Sequence, residues 1–136
     1  QMAKEAGMGL TVAVDDSGGV ARAIGNDITG LNWGVPRGVQ DITGVNSSAV
    51  ERLLLLADFS VTLNGVFNDA VAPSAHDTFK TVPSTAVTRT VTIAISGQTL
   101  PNEAIFTDYA LNRGADGSLN WTAPGALNST VLPTWA

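Results

Sequence analysis

A mainly β fold, either a β-sandwich or a partly open barrel with one short flanking helix and a long inter-strand loop, is predicted by three features. Residues 57–67 alternate strictly, Ala57, Phe59, Val61 and Leu63 against Asp58, Ser60, Thr62 and Asn64. Residues 87–96 form a second β-rich run, with Val87, Val91, Ile93 and Ile95 on one face. Turn-forming glycine and aspartate pairs separate these runs from their neighbours at short intervals. Period-two alternation describes a strand with one face in an apolar core and the other on a polar surface.

Residues 9–14 alternate and are followed by Asp15-Asp-Ser-Gly-Gly19, after which 20–24 returns. That is a hairpin signature, with glycine supplying positive φ. Residues 26–33 predict a third strand anchored by Ile28 and Trp33. Gly34-Val-Pro-Arg-Gly38 reads as loop, and 39–43 as a short extended piece. Ser48-Ala-Val-Glu51 has the form of a capping box, predicting a helical turn or two over 48–56; a continuous strand from 51 is the rival reading of the four leucines. Further on, Ser74 can cap a helix over 75–81 that Pro83 stops, with Asp77 at its third position. Residues 97–102 read as loop. Residues 105–112 and 118–122 flank a tight turn at Gly114-Ala-Asp-Gly117, and the tail from Pro124 is irregular until 131–135.

The length of 136 residues suits a single domain, 1–136, with residues 1–8 as an N-terminal arm. Gln1 is not an initiator methionine, so the expectation is either that something upstream was removed or that the numbering is of a trimmed chain. The absence of cysteine excludes a disulfide framework and thiolate metal sites. No apolar run is long enough to span a bilayer as a helix, so no membrane is expected. Twelve acidic against seven scattered basic residues disfavour a phosphate-gripping surface.

Catalytic chemistry finds little to work with. His76 is the only histidine, so a two-histidine metal site is impossible. Asp15-Asp16 lacks the alternating oxygens of a calcium loop and reads as a turn. No nucleophile elbow, phosphate loop or dinucleotide fingerprint is present. Neither an enzyme nor a cofactor or metal is expected. Trp33, Trp121 and Trp135 offer a sugar-binding platform as an alternative to core or interface roles for the tryptophans.

The ordered set Asp41-Ile-Thr-Gly44, Ser48-Ala-Val-Glu-Arg52 and the stretch from Leu56 to Asp69 resembles the central segment of tail tube (major tail) proteins of long-tailed, non-contractile bacteriophages. Ala75-His-Asp-Thr-Phe79, Arg89-Thr-Val-Thr-Ile93 and Ala115-Asp-Gly-Ser-Leu-Asn-Trp121 extend the likeness over about residues 9–135. The resemblance implies six subunits per ring and rings stacked into a hollow virion tube, assembled in the host cytoplasm. Through that tube double-stranded DNA passes without specific binding. It also implies other tail proteins as partners: tape measure, tail tip and terminator. The long loop at about 34–56 is then expected to reach a neighbour, with Pro36, Arg37, Leu53, Leu54, Leu55, Leu56 and Trp135 as inter-subunit candidates. Asp58, on the polar face of the long strand, is the first candidate for an acidic bore, followed by Asp41 and Asp108.

Independently of the resemblance, the runs 57–67 and 87–96 carry no lysine and no internal proline. As sheet edges they would want partners. Four leucines beside a loop also exceed what one small domain readily hides. The alternative function is a monomeric sugar- or protein-binding module displayed on a virion or cell surface.

Overall fold

The computed structural model describes residues 8–68 and 74–136. Eight strands share one antiparallel sheet: β1 (Thr11–Asp15), β2 (Ala21–Ala23), β3 (Ile28–Gly34), β6 (Ser60–Val66), β7 (Arg89–Ile95), β8 (Gln98–Phe106), β9 (Ala110–Arg113) and β10 (Leu119–Leu127). Their lateral order is β2-β1-β7-β8-β10-β6-β3, with β9 also paired to β10. The remaining two strands, β4 (Arg37–Asp41) and β5 (Arg52–Ala57), pair only with each other. The one α-helix among the described residues, α1 (Ala75–Phe79), packs on the core side.

The sheet curls around a single core without closing. Val12 and Val14 of β1 share one buried cluster with Val61 and Leu63 of β6, Val91 and Ile93 of β7, Leu100 of β8 and Trp121 of β10. The alternation predicted from sequence holds: Phe59, Val61 and Leu63 are buried, while Ser60 and Asn64 are exposed. Between β1 and β3 no ladder forms. The chain crosses there through a 3-10 turn at Gly25–Asp27, held by Ile24 N donating to the Val12 carbonyl at 3.2 Å. Of the two architectures read from sequence, the partly open barrel is the one adopted.

Two polar devices fix the helix on this core. The Ser74 hydroxyl accepts from Asp77 N at 3.1 Å, the N-cap that the sequence predicts. Asp27, itself buried, accepts from Ala75 N at 2.8 Å and from Asn68 Nδ2 at 2.9 Å, tying the helix start to the 3-10 turn. From the β7 side, the buried Arg89 donates to the carbonyls of Asp15 and Thr78 and to the Thr81 hydroxyl at 2.8–3.0 Å. Burial lowers its pKa, opposed by the carboxylates of Asp16 and Asp15. Phe79 then fills the space between Phe106 and Trp121, with ring centroids 4.9 and 5.6 Å away.

Several local readings are corrected by long-range pairing. No helical turn forms over 48–56: Ser48 caps nothing, and Arg52–Ala57 is strand, because Leu53 and Leu54 ladder with Gln40 and Val39. The continuous-strand rival is therefore the better description. It ends at Ala57, however, and β6 restarts at Ser60 after a break at Asp58-Phe59. The supposed open edges at 57–67 and 87–96 are interior: β6 lies between β10 and β3, and β7 between β1 and β8. The loop at 97–102 shrinks to a turn in which Ser96 and Gly97 take φ of 53° and 80°. Strand β8 then runs through Pro101, and β10 runs on to Leu127, well past the predicted end. The helix stops at Phe79 and is followed by turns to residue 84. The N-terminal arm is outside the described residues except for Met8.

Two outcomes test this packing. A Cβ on Gly65 would run into the Asp27 carbonyl across the irregular β3–β6 pairing, so Gly65→Ala is expected to cost about 3 kcal/mol in urea unfolding. Burial, with Asp27 nearby, pushes the Tyr109 hydroxyl up to about 12, against about 10 in an unfolded chain. The folded state thus holds this proton more tightly. The associated stability is full below about pH 10 and drains away as pH rises toward 12. Unfolding midpoints at pH 9 and 11.5 are expected to fall further for the wild type than for Tyr109→Phe.

Candidate assembly surfaces

The β4–β5 hairpin has an apolar sequence and no core to bury it in. Along Leu53–Leu56 successive side chains point to opposite faces, yet all four remain exposed, from 40% for Leu55 to 91% for Leu56. Val39, Ile42, Val45 and Val50 are exposed beside them. The far end is held by its own polar groups. Ile42 N donates to the Glu51 carbonyl, Thr43 Oγ1 to Asp41 Oδ1 at 2.6 Å, and Glu51 N to Thr43 Oγ1 at 2.9 Å. The Thr43 hydroxyl and N–H hold the Asp41 carboxyl below its ordinary pKa. At the near end Arg37 Nε donates to the Leu55 carbonyl at 2.9 Å, and Asp58 N to the Pro36 carbonyl at 2.8 Å. The hairpin is thus well formed as backbone and unsatisfied as apolar surface.

A second surface is the seam where the barrel stays open. Among the described residues the outer edge of β3 has no strand beside it, and its sequence, Ile28-Thr-Gly-Leu-Asn-Trp-Gly34, contains neither lysine nor proline. The edge argument made from sequence therefore transfers to this strand. Between β3 and β1 lies a cleft of about 300 Å³ lined by Leu10, Val12, Ile28, Leu31 and Trp33. Trp33 meets Trp135 at a centroid separation of 6.5 Å. The last residues are also tied to β8, since Thr99 and Ala136 exchange backbone hydrogen bonds at 2.7 and 2.8 Å.

The sequence-derived site residues separate into groups. Pro36, Arg37 and Leu53–Leu56 come together on the hairpin and its root, and Leu132 joins Arg37 and Leu54–Leu56 around a shared hollow. Trp135, 42% exposed, sits at the seam. The three acids do not share a face: Asp58 is in the break between β5 and β6, where its carboxylate accepts from Phe59 N; Asp41 is at the hairpin's far end; and Asp108 lies between β8 and β9. The polar face of β6 presents Ser60, Thr62 and Asn64 instead. Trp121 is buried, so it offers no platform for a ligand; its indole N–H donates to the Val66 carbonyl. His76 Nδ1 lies 3.1 Å from the Tyr109 hydroxyl, and its ring stands against Phe67. Among the described residues no three potential metal ligands gather, and no helix is long and apolar enough to cross a membrane.

No family model matches this sequence, and no curated protein matches it. Solved structures do match. The chain is similar to one in the tail of an empty gene transfer agent particle refined helically with C6 symmetry, at a TM-score of 0.72 and 18% identity over 96% of this chain and 99% of that one. Its fold is one that tail particles use. A chain in the virion of the native gene transfer agent matches at TM-score 0.69 and 18% identity, covering 96% of this chain and 99% of its own. A third likeness is to the six-fold symmetrised baseplate of the anti-feeding prophage, at TM-score 0.70 and 13% identity over 100% of this chain and 97% of that one. At such identities the likeness is one of fold, and it extends over essentially the whole chain.

Because the hairpin leucines are exposed on both faces, replacing them should cost the fold little. Leu54→Ser with Leu56→Ser is expected to leave stability within about 1 kcal/mol while lowering retention on a hydrophobic-interaction column.

Proposed function

We propose that this chain is the tube-forming subunit of a tail of the long-tailed, non-contractile kind. Copies associate in rings of six, the rings stack into a hollow tube within a virion, and the genome leaves through it. The observation that carries this reading is the hairpin together with a fold shared with tail particles: a β structure whose four-leucine strand is fully paired yet left largely exposed by the described residues. A C6 helical tail and a six-fold baseplate among the similar structures favour the same symmetry here. The contact is heterologous, because hairpin and seam are different surfaces of one subunit, and such contacts close as rings or continue as filaments. In this scheme Pro36, Arg37 and Leu53–Leu56 carry the hairpin contact, and Trp135 lies at the seam.

The buried position of Trp121 weakens the alternative of a monomeric module that stacks ligands on its tryptophans. Polymer formation separates the two readings. Negative-stain imaging of concentrated wild-type protein, with and without tail-tip seeds, is expected to show long hollow tubes. The Leu54→Ser, Leu56→Ser variant should remain small at the same concentration. Wild-type protein that stays monomeric in every condition would overturn the proposal.

A further inference from the structure

Beyond Leu127 the chain leaves the β8–β10 ladder and returns along the end of β8 as a strap tied down at two points. At one, Asn128 N donates to the Glu103 carbonyl at 2.9 Å and Asn128 Nδ2 to the Thr88 hydroxyl at 3.1 Å. At the other, Ala136 exchanges both backbone bonds with Thr99. The part of β8 between these anchors, Thr99 to Glu103, covers about 13 Å. The tail between them, Asn128 to Ala136, reaches about 27 Å when extended. The strap therefore has slack. Its internal bonds are local, Val131 N to Ser129 Oγ and Thr134 Oγ1 to the Leu132 carbonyl. Residues 129–135 enter no backbone-to-backbone hydrogen bond with a described residue, and Pro133 has no N–H to add one.

Leu132 stands between two hollows. One, of about 180 Å³, is lined by Thr90, Pro101, Asn102 and Glu103 of β7 and β8 and by Val131 and Leu132 of the strap. The other, of about 400 Å³, is on the hairpin side, where Leu132 shares the lining with Arg37, Leu54–Leu56 and Ala57. Val131 and Leu132 are exposed, so the strap fills neither. Packing beside β8 is incomplete as well, since Asn102 is buried and its Nδ2 has no hydrogen-bond partner.

Resting on the tube reading above, we infer that this strap is a two-position latch that restrains the hairpin until a second copy takes its place. Settled into the larger hollow, Leu132 covers part of the leucine surface through which a neighbouring copy binds. Settled into the smaller one, it is buried with Val131 against β7 and β8, and the hairpin is free. Either seat removes apolar surface from water, and one side chain cannot occupy both. A copy arriving on the hairpin does not strand Leu132 in solvent, because the slack lets it move to the second seat. Strap position and hairpin contact are thus coupled, each shifting the other by the same factor. The anchors at Glu103 and Thr99 hold in both positions, so the change stays within 129–134 and breaks no ladder.

The sequence has no cysteine, so one engineered pair traps each seat. Leu132→Cys with Leu55→Cys bridges the hairpin seat, and Leu132→Cys with Thr90→Cys the β8 seat. Both pairs are expected to oxidise in the unassembled protein, as read by peptide mapping. Failure of either bridge to form in folded protein overturns the latch, whether or not tubes are made.

Assembly then reads the restraint. The oxidised hairpin-seat pair is expected to lengthen the lag of tube growth about ten-fold, and the oxidised β8-seat pair to shorten it, with reduction removing both effects. Equal lags for the two oxidised forms overturn the inference. Leu132→Ser leaves the hairpin sequence intact and covers the case of a hairpin cysteine that blocks assembly by itself. Its lag is expected to be shorter than wild type, and an equal or longer lag overturns the restraint. Wild-type protein that never makes tubes sinks the tube reading and the restraint with it, an outcome the two bridges distinguish from a strap with a single seat.

Discussion

A sheet that wraps one core without meeting itself must leave backbone donors and acceptors along its two outer strands, and everything else in this chain is arranged around that fact. One terminal strand, β2, is only three residues long and exposes little ladder. The other, β3, is seven residues long and, among the described residues, unpaired on its outer side. Unpaired backbone groups are tolerable in water but are also a template for another chain. Closing the barrel would remove the template together with the apolar seam beside it. Keeping it open leaves a chain that is folded and yet incomplete as a surface.

The interior is built to tolerate that opening. The aromatic packing of Phe79, Phe106 and Trp121, the Asp27 contacts and the three-way grip of Arg89 hold α1 against the curl of the sheet. These contacts do part of the work that a missing strand pairing would otherwise do. Stability therefore rests on the core and on the bonds across the 3-10 turn, while the hairpin contributes mainly surface. On the proposed tube reading, that division leaves the exposed leucines available for contact with other copies instead of for folding.

What was legible in the sequence was local. The alternation of Phe59, Val61 and Leu63 and the cap at Ser74 depend on residues a few positions apart, and both are found where the pattern puts them. Leu53–Leu56 has no period, so a nearby serine and glutamate suggest a helix start that pairing with Val39 and Gln40 overrides. Pro101 suggests a loop. Its missing N–H falls on the side of β8 that Thr99 turns toward Ala136, beyond the reach of the β8–β10 ladder, so the strand loses nothing there. Asp58 looks like one more polar position in an alternating run, until the break between β5 and β6 takes it out of register. Which strands are interior depends on partners tens of residues away, and no window of sequence contains that information. That the non-core face of the large sheet sets hydroxyls, amides and small side chains beside Asp15 and Glu103 was legible only once register had placed its rows side by side.

On the proposed tube reading, the hairpin's two-sidedness has a further result. An arm greasy on one side only is satisfied by a single neighbour, but one with leucines on both sides is half covered until a second neighbour arrives. The first contact is then weak and the next one strong, so growth starts reluctantly and proceeds readily. Loose subunits can accumulate in solution without clumping and convert quickly once a starting structure offers both sides at once. The delay is written into the alternation of four identical side chains.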